Sequence, residues 1–243
     1  MRLLIIVLLW LACVTSVFAA NLDVVSGWDK PPYIVAKGNT GFEVELLKTI
    51  AANNGHDVNL IYVPMGRTVR MINSQEADIA LSMGRGHNVP KAWLSDEYVC
   101  YRNVVATLKD RNISINGFSD LNGMTVVGFQ TASQVLGIGF FDAMSGHPGY
   151  LEIADQSRQV SMLMLGSVDA IILDINIFNQ FISQLPKAQQ KAVDIHALFP
   201  PNRYHAAIPD KALREQFNRG LKALKANGDY QRLADQFNIA VER

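Results

Sequence analysis

Cysteine is nearly missing from this 243-residue chain. One of its two cysteines, Cys13, lies in an apolar leader and the other is Cys100. Without the leader no internal disulfide can form, so an oxidising compartment is tolerated but not exploited. Cys100 stands in "EYVCYRNVV", which reads as strand, and a buried, unreactive thiol is expected there. An excess of charge is missing too: 22 Lys and Arg face 22 Asp and Glu. Nothing basic points to nucleic acid, and no polybasic run points to anionic lipid. The five histidines (His56, His87, His147, His196 and His205) are scattered without an HxH or HxxxH pair, which argues against a metal site. No cofactor is expected. Past the N-terminus no stretch reaches the roughly 18 unbroken apolar residues of a membrane helix, so a soluble mature protein is expected. Short repeats and low-complexity tracts are also lacking.

What is present begins with "MRLLIIVLLWLACVTSVFAA". Arg2 precedes an apolar run from Leu3 to Cys13, and Val17 and Ala19 occupy −3 and −1 of a cleavage site. The run is too short to span a membrane and no stop-transfer charges follow, so residues 1–19 read as a secretory signal peptide. Cleavage is expected after Ala19, with Ala20 as the alternative. A lipid-attachment reading of Cys13 is disfavoured, because Trp10 stands where such a motif wants Leu. About 224 residues remain, enough for one large or two small domains.

Hydrophobic periodicity then alternates between strand and helix. "LDVVSG" is a buried strand, and Pro31 and Pro32 end it. "TGFEVELLKTIAANNG" places Phe42, Val44, Leu46, Leu47, Ile50 and Ala51 at helical spacing and stops at Asn54-Gly55. "DVNLIYVP" is a strand, "GRTVRMINSQEA" a short helix bearing Arg67 and Arg70, and "ADIALS" a buried strand. The pattern restarts with "MTVVGF", a helical "TASQVLGIGFFDAM" weakened by Gly137 and Gly139, "YLEIA", "SRQVSMLMLGS", "VDAIIL" and "DINIFNQFISQL". "RYHAAIP" is a returning strand. Two amphipathic helices follow, parted at Asn227-Gly228, the first N-capped by Asp210. Two α/β units with mainly parallel sheets, crossed twice by the chain, predict two lobes around a cleft. Ligands in such sheets gather beyond the carboxyl ends of strands. That selects the loops 27–33, 82–91, 128–133 and 174–176.

Five stretches, in order, carry a resemblance: "PPYIVAKGNTGFEVELLKTIAANNG", "EADIALSM", "WLSDEYV", "DLNGMTVVGFQTAS" and "LGSVDAIILD". They resemble the bacterial periplasmic solute-binding proteins of the type II, amino-acid-binding (family 3) class, over nearly all of the mature chain. The resemblance implies a two-lobed α/β fold, each lobe a mainly parallel sheet flanked by helices, joined by a two-strand hinge. Lobe one would hold residues 20–104 and 206–243, and lobe two residues 105–205. The crossings are expected near Tyr101–Thr107 and Tyr204–Ile208. Such proteins close on a small solute by hinge motion and present it to a membrane transporter.

The resemblance also implies roles. Asp174 closes "VDAIILD" where the family binds an α-ammonium; its place at the carboxyl end of a buried strand favours binding over an N-cap role for the next helix, and the two are compatible. Thr131 and Ser133 begin a helix whose amides suit an anion, although Gln130 replaces the family's glycine. Trp28 and Tyr33 flank the proline pair as aromatic walls. Ser82 opens the lobe-one loop "SMGRGHNVPK", where the family keeps an arginine for the α-carboxylate. Here Val89 and Pro90 stand at that position. Arg85, between Gly84 and Gly86, is preferred over Lys91 as the anion contact, since a guanidinium grips a carboxylate with two bonds; Arg67 is a third candidate. The expected function is a periplasmic receptor, a monomer, that clamps a small polar solute such as an amino acid or related carboxylate or amine. Its expected partner is a membrane permease complex or a membrane sensor. A dehydratase of this fold would need a glutamate after the second Asp-Ala strand, and none occurs from Asp174 through Ser183. No enzymatic activity is therefore expected.

Overall fold

The structure is a computed structural model and describes residues 20–239. The expected leader, its Cys13 and the cut after Ala19 lie outside the described residues.

Strands β1 (Asn21–Ser26), β2 (Asp57–Tyr62) and β3 (Ile79–Met83) pair in parallel. Helices α1 (Phe42–Asn53) and α2 (Met65–Asn73) make the crossovers. Covered on both faces, β3 is buried at every position, as its unbroken apolar run requires. Helix α1 buries the predicted Phe42, Val44, Leu46, Leu47, Ile50 and Ala51, and with them Glu43. It stops where Gly55 takes φ +76°, open to glycine without strain.

β4 (Val99–Tyr101) is separated from β5 (Asn103–Leu108) by Arg102 alone, and there the chain changes sheet. The second sheet adds β6 (Val126–Phe129), β7 (Tyr150–Ile153), β8 (Ala170–Asp174) and β9 (Val193–His196). Its helices are α3 (Ala132–Val135), α4 (Ile138–Met144), α5 (Gln156–Leu165) and α6 (Ile175–Gln184). The single helix expected over "TASQVLGIGFFDAM" is two, because Gly137 takes φ +99° between them. The chain returns through β10 (Asn202–Ala207), then α7 (Lys211–Ala226) and α8 (Asp229–Gln236). Asp210 caps α7 by accepting from the Leu213 amide. The return crossing falls at residues 197–201, upstream of the expected 204–208, because all of β10 pairs within the first sheet.

The strand orders are β2-β1-β3-β10-β4 and β7-β6-β8-β5-β9. Both sheets are mixed. The parallel pairs suggested by the sequence make one half of each, and β10 and β5 run antiparallel to their neighbours. The reason is geometric. Asn103, the first residue of β5, lies opposite Asp174, the last of β8. A strand entering from the cleft must oppose strands that end there.

Candidate functional site

Between the sheets lies a cavity lined from both lobes. Gly27, Trp28, Lys30, Met65, Ser82, His87 and Tyr204 face it from the first, and Phe129, Thr131, Gln156, Asp174 and Ile177 from the second. Tyr101 and Asn103, on either side of the crossing, complete the wall.

The cation of this cavity is Lys30, which is 7% exposed. Its Nζ donates to Ser82 Oγ at 2.7 Å, and Ser82 Oγ donates on to Glu43 Oε2 at 2.7 Å. Glu43 is fully buried. It also accepts from Tyr101 at 2.6 Å and from the Tyr98 hydroxyl. A buried carboxylate with three hydroxyl donors and a nearby ammonium is satisfied and charge-balanced. Burial pulls the Lys30 pKa down, and Glu43 pulls it back up. Ser82 holds φ +57°. A non-glycine residue in this left-handed region stores strain, of a kind that collects at functional sites. Thr131, across the cleft, does the same at φ +74°.

His87 is 4% exposed. The Gly84 amide donates to its Nδ1 at 2.8 Å, so Nδ1 is unprotonated in this geometry. Nε2 then carries the proton and donates across the cleft to Thr131 Oγ1 at 3.1 Å. Burial, then the charge of Lys30, lowers its pKa to about 4, so it is neutral near pH 7. A second bond across the cleft joins Asn176 Nδ2 to the Tyr33 hydroxyl at 2.9 Å. Tyr33 is fully buried and stacks on Tyr101 with ring centroids 4.1 Å apart.

Asp174 is 1% exposed and lines the cavity. It caps α6, one oxygen accepting from the amides of Asn176 and Ile177 and the other from the Arg102 amide at 2.6 Å. Burial outweighs these donors and raises its pKa to about 6.

The other expected residues divide. Ser82, Thr131 and Trp28 line the cavity, Trp28 at its mouth and 46% exposed. The amides of Thr131 and Ser133 are not open to an anion, because both donate to the Glu152 carboxylate at 2.7 Å. Glu152 also accepts from Tyr150. Arg85 does not reach the cavity. The turn closed by the His87 amide on the Gly84 carbonyl sends His87 inward and Arg85 outward. Its side chain is 76% exposed and sits 3.8 Å from Glu97. Lys91 opens an exposed turn of 3₁₀ helix, and Arg67 is exposed on α2. Cys100 is half-buried rather than buried. Among the described residues no group of three or more His, Cys, Asp or Glu is placed to hold a metal ion.

Sequence reasoning passed over Lys30, Glu43, Asn103, Glu152 and Gln156. Lys30 had a signal: it is the one cation in "WDKPPY", a loop already assigned to the cleft. Glu43 had another, a charge inside the buried stripe of α1.

Two mixed sheets, each flanked by helices and facing each other across one cavity, define a two-lobed clamp of the type II periplasmic binding fold. The sequence profile of the bacterial extracellular solute-binding proteins, family 3, matches residues 22–239, and the chain belongs to that family. No curated protein sequence matches it significantly. Among solved structures, an ancestral arginine-binding protein bound to arginine is similar at TM-score 0.73 and 23% identity, over 89% of this chain and 97% of that one. A GluR0 ligand-binding core from Nostoc punctiforme, in complex with L-glutamate, reaches 0.71 at 21% identity, over 89% and 98%. A histidine kinase sensor domain with similarity to periplasmic binding proteins reaches 0.71 at 19% identity, over 89% and 95%. At these identities the likenesses show the fold.

Proposed function

We propose that this chain is a periplasmic receptor that closes its two lobes over a small polar solute, an amino acid or a related carboxylate or amine, and delivers it to an ABC-type transporter. The observation that carries this reading is the cavity lined from both lobes, where Lys30 and Asp174 are both more than nine-tenths buried. Charged groups are rarely buried without a partner or a function. Family membership supports the reading, and the leader read from residues 1–19 supports the location. Catalysis is not part of it. The buried carboxylates Asp174 and Glu43 are held by donors of the protein itself, and His87 is locked by Gly84 and Thr131.

A second reading keeps the clamp and changes the partner to a membrane sensor. The likeness to a histidine kinase sensor domain favours it. A thermal-shift panel of amino acids, polyamines and small carboxylates tests the receptor reading, because a ligand of the folded state raises the midpoint by mass action. A rise with one chemical class is expected. A folded protein with no rise across the panel sinks it. Transport and sensing are then separated by asking whether the protein binds a permease or a sensor ectodomain.

A further inference from the structure

An ammonium and a carboxylate entering this cavity would meet very different welcomes. A carboxylate accepts about four hydrogen bonds. Asp174 already accepts from three backbone amides, those of Arg102, Asn176 and Ile177. An ammonium there would compete with the two amides that cap α6 and with the Arg102 amide at the crossing between the sheets. It would also share the cavity with Lys30, a like charge. The amides of Thr131 and Ser133 are equally committed, to the carboxylate of Glu152.

Three polar groups keep spare capacity. Lys30 has three N–H donors, and the Ser82 bond uses one. Asn103 is 3% exposed, and its Nδ2 is buried without an acceptor. Gln156 is 7% exposed, and its Oε1 is buried without a donor. All three side chains line the same cavity. Buried polar atoms are seldom left unpaired, because an unmade bond costs the full desolvation of the group. The spare set is thus a cation and an amide donor on one side of the account and a neutral acceptor on the other. Trp28, Met65, Phe129 and Ile177 supply apolar wall between them.

We propose that the cleft selects a small carboxylate whose second polar group is a neutral donor, a hydroxyl or an amide, rather than an ammonium. Lys30 and Asn103 hold the carboxylate, and Gln156 accepts from the neutral donor. This rests on the reading of the cleft as a solute site and narrows it: 2-hydroxy acids fit, and the 2-amino acids of the same skeleton do not. Lys30 takes the place of the loop cations Arg85 and Lys91, which are exposed and do not line the cavity.

The test is calorimetric titration of the purified protein with matched pairs: lactate and alanine, malate and aspartate, 2-hydroxyglutarate and glutamate, phenyllactate and phenylalanine, all as L-isomers. In at least one pair the hydroxy acid is expected to bind about tenfold or more tightly than its amino partner, the scale of one charge-assisted contact. Lys30→Met is expected to remove that binding and Asn103→Leu to weaken it, while Arg85→Ala leaves it unchanged. Should Lys30→Met fail to fold, Asn103→Leu and the pairwise preference still decide. An amino acid binding as tightly as its hydroxy partner overturns the proposal and leaves the receptor reading standing. Hydroxy-acid binding indifferent to both Lys30→Met and Asn103→Leu overturns it too. A flat response to all eight probes, with a rise for a polyamine in the wider panel, overturns it and again spares the receptor reading.

Discussion

At the scale of single residues the cleft holds two titrating groups with opposite pH dependence. Asp174 has its pKa raised from 3.8 to about 6 in the folded protein. The folded state binds more protons than the unfolded one in that window, so this contribution is full below pH 4 and is lost as the pH rises towards 6. His87 has its pKa lowered from 6.5 to about 4. Its contribution is full above pH 6.5 and is lost as the pH falls towards 4. Each is worth on the order of 3 kcal/mol, and over the shared window they offset one another. Urea midpoints of wild type between pH 4 and 6.5 should therefore vary little from this pair. Relative to wild type, His87→Gln should lose stability with rising pH, and Asp174→Asn should gain it. Parallel profiles for the two variants would contradict the assignment. Glu43 makes a simpler case. Glu43→Ala leaves the Lys30 ammonium buried without its counter-charge and should cost about 3–5 kcal/mol in denaturant unfolding. That Asp174 would lie at the cleft was legible, since its strand ends there by pattern alone. That three backbone amides would engage its carboxylate was not, because one of its donors, Arg102, is 72 residues away in sequence. Arg85 misled for a related reason. Two flanking glycines announce a turn but not its direction, and the turn is set by His87 bonding back to Gly84.

At the scale of elements, periodicity located nearly every strand and helix. It stumbled where one residue resets the backbone, as Gly137 does between α3 and α4. It suggested mainly parallel sheets and so missed the antiparallel half of each: β5 and β10 look like any other apolar strand, and only their entry from the cleft makes them antiparallel. One loop carries a sharp prediction. A Cβ at Gly86 would stand 2.0 Å from the backbone oxygen of Gln134, in α3 of the opposite lobe. Gly86→Ala should hold the lobes apart while leaving each one folded. Its small-angle scattering radius should exceed that of wild type, its unfolding midpoint should stay close, and its affinity for any cleft ligand should fall about tenfold or more. An unchanged radius with unchanged affinity would refute the close approach. Asp210→Ala, which removes only the cap of α7, should cost about 1 kcal/mol and leave binding alone, as denaturant titration and calorimetry together can show.

At the scale of the whole molecule, the two lobes are assembled from the chain in different ways. The second sheet uses one continuous segment, β5 to β9. The first is interrupted: β10 lies between β3 and β4, and its Ala206 bonds to Ser95 at a separation of 111 residues. Helix α7 then packs on α1 closely enough that a Cβ at Gly220 would meet Ile50. Non-local pairing is slow because the loop must close before contacts repay it. Pulse-labelled hydrogen exchange during refolding should protect amides of β6 and β8 before those of β1 and β3, and the reverse order would count against this. For a chain emerging amino end first, the consequence is a queue. The segment that leaves the ribosome or translocon earliest must wait for the last of the described strands to arrive, its buried edge at β3 open meanwhile to any holdase, protease or sticky neighbour, while the segment behind it folds and moves on.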